Sequence, residues 1–260
     1  MIISGSVENE LPINTNKCAF VIYTNKRNYN VNYKYNINGK EITRLITVKD
    51  LGVTFKSSLD FSEHISSIVQ SAYRSLGFII RNTQRFHDIN ALKILFHSLV
   101  RSKLEYACVV WSPNYKVSKN IIEKLQKKFL RYLHYKKNAS NNNVNYVLNR
   151  PSYNALLDEF NFESLMQRRR LLQQIYLYKL VNGKIDDAYM LGEIKFNALK
   201  NNLRARKLLV NDIPRTESFK SSPLYQMCSM FNSLSTHYLD LDHSTPLAKF
   251  VTILKNICSD

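Results

Sequence analysis

Asp186 and Asp187 are the only adjacent aspartates in this chain of 260 residues. Two-metal phosphoryl transfer would need such a pair held rigidly beside two ions about 4 Å apart. These two follow Gly183-Lys184-Ile185 and precede Ala188-Tyr189, a setting for a helix N-cap rather than a hairpin between apolar strands. Asp240, Asp242 and His243 crowd a short polar stretch with no identifiable distant ligand. His64, His87, His97 and His134 share no ligand spacing, and the Ser and Cys residues have no recognisable nucleophile context. No catalytic residue, metal ligand or cofactor is expected.

The cations carry more information. The formal net charge is +17 and its distribution is uneven. Residues 61–150 hold 15 basic and 4 acidic side chains, against 8 and 5 in residues 1–60 and 14 and 11 in residues 151–260. A polyanion is the natural partner for such a segment, because Lys and Arg displace the counterions condensed on phosphates. At 100° per residue, Lys124, Lys127, Lys128 and Arg131 fall within about 100° of one another, and Ile121, Ile122, Leu125, Phe129 and Leu133 form a separate inward stripe. One face can pack while the other tracks a phosphate backbone; the plainer reading is a solvated helix face. Arg168-Arg169-Arg170 reads either as a nucleic-acid or import patch or as exposed helix surface. Trp111 and Tyr106 could stack on bases, but Val109 and Val110 between them favour core packing.

The composition is that of a globular protein, with 45% hydrophobic and 22% charged residues. Six Gly and six Pro favour long regular elements over loops. Cys18, Cys108, Cys228 and Cys258 are scattered, as reduced thiols would be, and form neither a disulfide framework nor a zinc knuckle. Ile2-Ile3 after Met1 is too short for a signal peptide, and no run of about 18 apolar residues exists to span a membrane. An intracellular location, nucleus or cytoplasm, is the expectation.

Positioning the basic face falls to the elements around it. Lys17–Tyr23 is a short apolar run; Val31, Tyr33, Tyr35 and Ile37 alternate with polar residues before Asn38-Gly39, a type I′ turn pair. Ile42–Ile46 is expected to return, and Leu51–Phe55 to add a strand. So few strands need a partner surface. From Asp60 the period is helical: Asp60 and Glu63 suggest a capping box ahead of Ile65, Ile68, Val69, Ala72, Tyr73, Leu76 and Ile79. Asp88 can cap a second helix, whose continuation from Leu104 to Trp111 fits helix or strand, before Pro113 ends it. Ser118 opens the basic helix. Asn138–Asn145 is a polar break, a further helix from about Phe162 stops at Asn182-Gly183, and Ser222-Pro223 and Thr245-Pro246 start the last two. The expected class is α+β, a small antiparallel β segment over 1–59 followed by helical regions 60–137 and 152–260 joined by a linker, 138–151.

An ordered series of segments resembles the region downstream of the catalytic core in reverse transcriptases of non-long-terminal-repeat retrotransposons, the jockey-like and related LINE-type elements. It runs from Leu11-Pro12-Ile13-Asn14-Thr15-Asn16-Lys17-Cys18 through Lys49-Asp50-Leu51-Gly52-Val53, then Leu76-Gly77-Phe78 and Leu99-Val100-Arg101-Ser102. Leu104-Glu105-Tyr106, Trp111-Ser112-Pro113, Ile122-Glu123, Gln126, Phe129-Leu130-Arg131, Arg168-Arg169-Arg170, Gly183-Lys184-Ile185-Asp186 and Ser221-Ser222-Pro223 continue it. The resemblance implies a polymerase that copies RNA into DNA, with the first strands as palm edge, Leu51, Gly52 and Val53 near a primer grip, and the helices as thumb and C-terminal extension. In that family the magnesium-binding aspartates lie upstream of the segment that begins here at Leu11, so the Mg²⁺ site is expected to be absent from this chain. A palm, if needed, would be a partner.

The expected function is non-specific binding of a template–primer duplex, RNA or DNA, by Lys124, Lys127, Lys128 and Arg131, without catalysis. The alternatives are a helical protein–protein interaction module and a truncated element copy with no selected function. Purified chain is expected to give no primer extension on an RNA template with Mg²⁺ or Mn²⁺; extension abolished by Asp186→Ala would refute this.

Overall fold

The computed structural model describes residues 13–24, 26, 33–113, 115–140, 151–197, 208–234 and 245–259. The fold is α+β, with strands first and helices after. The chain divides into two compact units, Met1–Ser67 and Ile68–Asp260, the boundary falling inside the first long helix.

In the first unit the described strands form three separate two-stranded pairs. Strands β1 (Ala19–Phe20) and β4 (Thr43–Arg44) pair in parallel; β2 (Asn36–Ile37) and β3 (Lys40–Glu41), and β5 (Thr47–Asp50) and β6 (Val53–Lys56), pair antiparallel. Asn38 and Gly39 both take positive φ, 51° and 78°, as the two-residue hairpin turn requires. The return strand is Lys40–Glu41, not Ile42–Ile46; Thr43–Arg44 instead pairs with Ala19–Phe20. Leu51 and Gly52 are the second two-residue turn, with φ 42° and 85°, so the expected strand Leu51–Phe55 begins at Val53. Val53 is buried, Phe55 meets Phe61 edge-on at 5.7 Å, and the Thr54 N–H donates to His64 Nδ1. Burial first, and then Lys49, lowers the His64 pKa.

The second unit is helical. Helix α1 (Ser62–Asn82) enters it; α2 (Ile89–Phe96) passes through a π-helical segment, His97–Arg101, into α3 (Ser102–Glu105). Helices α4 (Cys108–Trp111), α5 (Lys116–Ser140), α6 (Tyr153–Phe160), α7 (Leu165–Val181), α8 (Ala188–Gly192), α9 (Glu217–Lys220), α10 (Pro223–Leu234) and α11 (Leu247–Ser259) follow. The expected linker therefore begins inside α5, and 141–150 lie outside the described residues.

Leu92, Phe96, Val100 and Leu104 are fully buried at strict four-residue spacing. An α-helix of 3.6 residues per turn would carry that series off one face; the wider π turn brings it back. The Leu104–Trp111 stretch is helical, broken where Ala107 takes φ 49°. Asp88 accepts from the Asn90 N–H and caps α2 as its position suggests. Asp60 instead accepts from the Ser62 N–H and hydroxyl, an Asx turn ahead of α1 rather than a capping box with Glu63.

Helix α7 is central to the unit and touches α4, α5, α8, α10 and α11. A true capping box starts it, Ser164 with Gln167, and Asn182 with Gly183 at φ 62° ends it. Its C-terminal half packs Leu177, Tyr178 and Leu180 against Met227 and Phe231 of α10 and Phe250 and Leu254 of α11. Tyr178 stacks on Phe250 at 4.6 Å and its hydroxyl donates to the Thr245 carbonyl.

Leu51 is 84% exposed and holds a left-handed conformation in which Cβ crowds the following carbonyl and which Asn, with its short hydrogen-bonding side chain, tolerates better than Leu. Leu51→Asn is expected to stabilise the β5–β6 hairpin by about 1 kcal/mol. Amide exchange over Thr47–Lys56 should slow accordingly; unchanged or faster exchange would refute the turn assignment.

Candidate nucleic-acid interface

Helix α5 has no Gly or Pro along its length and turns two chemically different faces to its surroundings. Ile122, Leu125, Phe129, Leu130 and Leu133 are fully buried. Phe129 stacks on Phe96 at 4.1 Å with an interplanar angle of 7°, and Phe162 leans against both. Ile121, expected inward, is instead 39% exposed. The helix opens at Lys116, two residues before Ser118.

Opposite this stripe, Lys124, Lys128 and Arg131 are exposed and Lys127 is half-buried. From Lys124 to Arg131 the helix rises roughly 10 Å. The Lys128 ammonium lies 5.7 Å from the Tyr73 ring on α1. None of the four has a carboxylate within ion-pair distance among the described residues. The four cations named in sequence are thus brought together on one surface.

What sharpens that surface is the fate of the nearby acids. Of the 4 acidic residues in 61–150, Glu63 is exposed in the first turn of α1 and Asp88, also exposed, caps α2. Glu105 takes a two-point contact from Arg168, Nε at 2.5 Å and Nη2 at 3.2 Å. Glu123, the acid of α5 itself, turns inward: it accepts from the Tyr153 hydroxyl at 2.5 Å, the Met166 N–H at 2.6 Å and the Leu165 N–H at 3.3 Å. A carboxylate here meets the positive end of α7. Burial, then the Glu123 carboxylate, raises the Tyr153 pKa. Gln126, fully buried one turn on, donates to the Tyr153 hydroxyl and the Glu163 carbonyl.

The other sequence candidates part company. Arg168-Arg169-Arg170 is no exposed triad: Arg168 is paired with Glu105 and Glu163, Arg169 is 2% exposed and only Arg170 faces outward. Trp111 is in the core, its indole N–H donating to the Tyr106 carbonyl at 2.7 Å, whereas the Tyr106 side chain is exposed. Asp187 caps α8 by accepting from the Met190 N–H. Asp240, Asp242 and His243 lie outside the described residues. Among the described residues no group of three or more His, Cys, Asp or Glu side chains could hold a metal ion, and no helix is long and apolar enough to cross a membrane. Cys18, Cys108 and Cys228 are free thiols; burial pushes Cys108 and Cys228 up to about 11. Leu51, Gly52 and Val53 belong to the first unit, two as turn and one as strand.

The sequence named Glu123 and Gln126 only within the resemblance, without a role, and read Arg169 as part of an exposed or nucleic-acid-binding triad rather than as a buried side chain. The signal for the first two was their place beside the apolar stripe, at Ile122 + 1 and Phe129 − 3. His97 was passed over as well: burial first, then Arg101 and Arg168, lowers its pKa to about 4, so the imidazole is neutral at pH 7.

No family model matches the chain. It is similar to an uncharacterized protein of Caenorhabditis elegans, 28% identical over 157 residues, which is 59% of this chain and 70% of that protein. No solved structure matches.

Glu123→Ala strips three donors of their acceptor and is expected to cost about 2–3 kcal/mol in urea unfolding. Lys124→Ala, one residue away on the outer face, should change stability by less than about 0.5 kcal/mol. Equal effects would mean the inward turn of Glu123 is not as described.

Proposed function

We propose that this chain binds nucleic-acid duplexes through the outer face of α5, as the thumb-like part of a retrotransposon-type reverse transcriptase. The observation that carries the reading is charge segregation. Lys124, Lys128 and Arg131 face outward and Lys127 is half-buried, all without acidic partners among the described residues, while Glu105 and Glu123 are engaged by Arg168, by Tyr153 and by the start of α7. The family part of the proposal rests on the ordered sequence resemblance alone.

Such a face reads phosphates and not bases, so sequence preference is slight. Each phosphate it neutralises contributes about −0.9 to the slope of log K against log salt on B-form DNA. A chain with this task works in the nucleus or cytoplasm, where polymeric RNA and DNA are.

Reversing Lys124, Lys127, Lys128 and Arg131 to Glu is expected to weaken duplex binding strongly and flatten the salt slope, with circular dichroism unchanged. The comparison is reversal of Lys184, Lys195, Lys249 and Lys255. Lys195 and Lys255 already lie 3.9 Å from Asp212 and Glu163, and Lys184 lies 5.3 Å from the Tyr178 ring. That second variant should lose little. Equal losses in fluorescence anisotropy titrations would show that net charge alone drives association.

A further inference from the structure

A cleft of about 1510 Å³ opens in the second unit among α5, α6, α7, α10 and α11. Arg169 is among the residues lining it, 2% exposed, and neither of its terminal nitrogens has a hydrogen-bond partner among the described residues. One turn along the same face of α7, Gln173 is also buried, and its amide nitrogen too lacks an acceptor. These orphaned groups are all donors. A buried guanidinium is costly to leave unpaired, and the surrounding protein does not pair it.

The neighbouring charges do not remove the demand. Glu123 is the main acid felt by Arg169, but its oxygens are bonded to Tyr153, Leu165 and Met166. Glu163 is held by Arg168 and Lys255. On the other side, Lys119 projects from α5 into the same lining, and Arg170 stands next in sequence to Arg169. Burial, then Arg170 and Arg169, lowers the Lys119 pKa, as crowding of like charges does.

We infer that Arg169, Gln173 and Lys119, with Arg170 at the rim, form an oxyanion site for a phosphoryl group. A guanidinium fork offers two parallel N–H donors, the amide a third and the ammonium a charge, which suits a dianion with several acceptor oxygens. A carboxylate would use the fork and leave the remaining donors unmet. Lys119 lies on the N-terminal half of α5, about 130° around the helix from the centre of the Lys124–Arg131 face, and the site does not depend on that face binding anything.

The test uses the whole chain. Thermal unfolding is followed in inorganic phosphate, in acetate and in chloride at equal ionic strength, and phosphate affinity is measured by calorimetry. Phosphate is expected to raise the midpoint above both other salts. Lys119→Ala should weaken phosphate affinity about tenfold, the loss of one charge-assisted contact. Arg169→Gln should abolish the response; because it can also unfold the chain, Lys119→Ala and Arg170→Ala, both nearer the surface, carry the test independently. Charge reversal of Lys124, Lys127, Lys128 and Arg131 should leave the phosphate response intact, which separates this site from the duplex-binding face. A 5′-phosphorylated oligonucleotide that binds more tightly than its 5′-hydroxyl twin, with the advantage lost in Lys119→Ala, assigns the phosphoryl group to a strand end. No such advantage, with the inorganic phosphate response retained, assigns it to a free phosphorylated compound. No protection beyond chloride, equal protection by acetate, or an unchanged response in Lys119→Ala and Arg170→Ala overturns the site.

Discussion

The Glu123 carboxylate ties three helices together. It projects from α5, accepts a hydrogen bond from the Tyr153 hydroxyl at the start of α6, and accepts from the first free N–H groups of α7. A helix N-terminus has unsatisfied donors and a partial positive charge, and an acid delivered from another element satisfies both. Ser164 and Gln167 close the remaining cap. With its first turn fixed in this way, α7 runs through the unit with neighbours on several sides and collects α10 and α11 against its far half.

The same contact shapes the surface. Because the acid of α5 is used for structure, the face of that helix opposite its apolar stripe is left with cations as its only charges. Glu105 repeats the arrangement with Arg168. Carboxylates inside and ammonium groups outside give a stronger outward field than the composition states, because the inward acids are shielded from solvent and from any approaching polyanion. A salt bridge count would hide this; the direction of each acid is what matters.

Helix α7 also departs from the simple rule that buried helix faces are apolar. Arg169, Gln173 and Gln174 are buried on it, and Gln174 donates to the Met227 carbonyl while its own oxygen has no partner. Polar groups kept inside at such cost are better explained by a use than by packing, since apolar residues of similar volume would be neutral or stabilising there. The π-helical segment before α3 is a second departure. It keeps a four-residue apolar repeat on one face at the expense of regular α-helical bonding.

What the sequence determined by itself was whatever depends on neighbours within about one turn. The Asn38-Gly39 hairpin, the Asp88 and Asp187 caps, the Asn182-Gly183 stop and the buried stripe Ile122, Leu125, Phe129 and Leu133 are all in this class, because backbone hydrogen bonding and helical period are local properties. The α+β class followed from the change of period at Asp60. The outward setting of Lys124, Lys128 and Arg131 was legible for the same reason, as the complement of that stripe. Tertiary structure alone decided the rest. Glu123 and Met166 are 43 residues apart in sequence, and Glu105 and Arg168 are 63 apart. No local pattern distinguishes an acid that will cap a distant helix from one that will face water. Arg168, Arg169 and Arg170 are identical in type and adjacent in sequence, yet one is paired, one buried and one exposed. Their fates differ because α7 has neighbours on several sides, and steps of 100° send consecutive side chains to different ones.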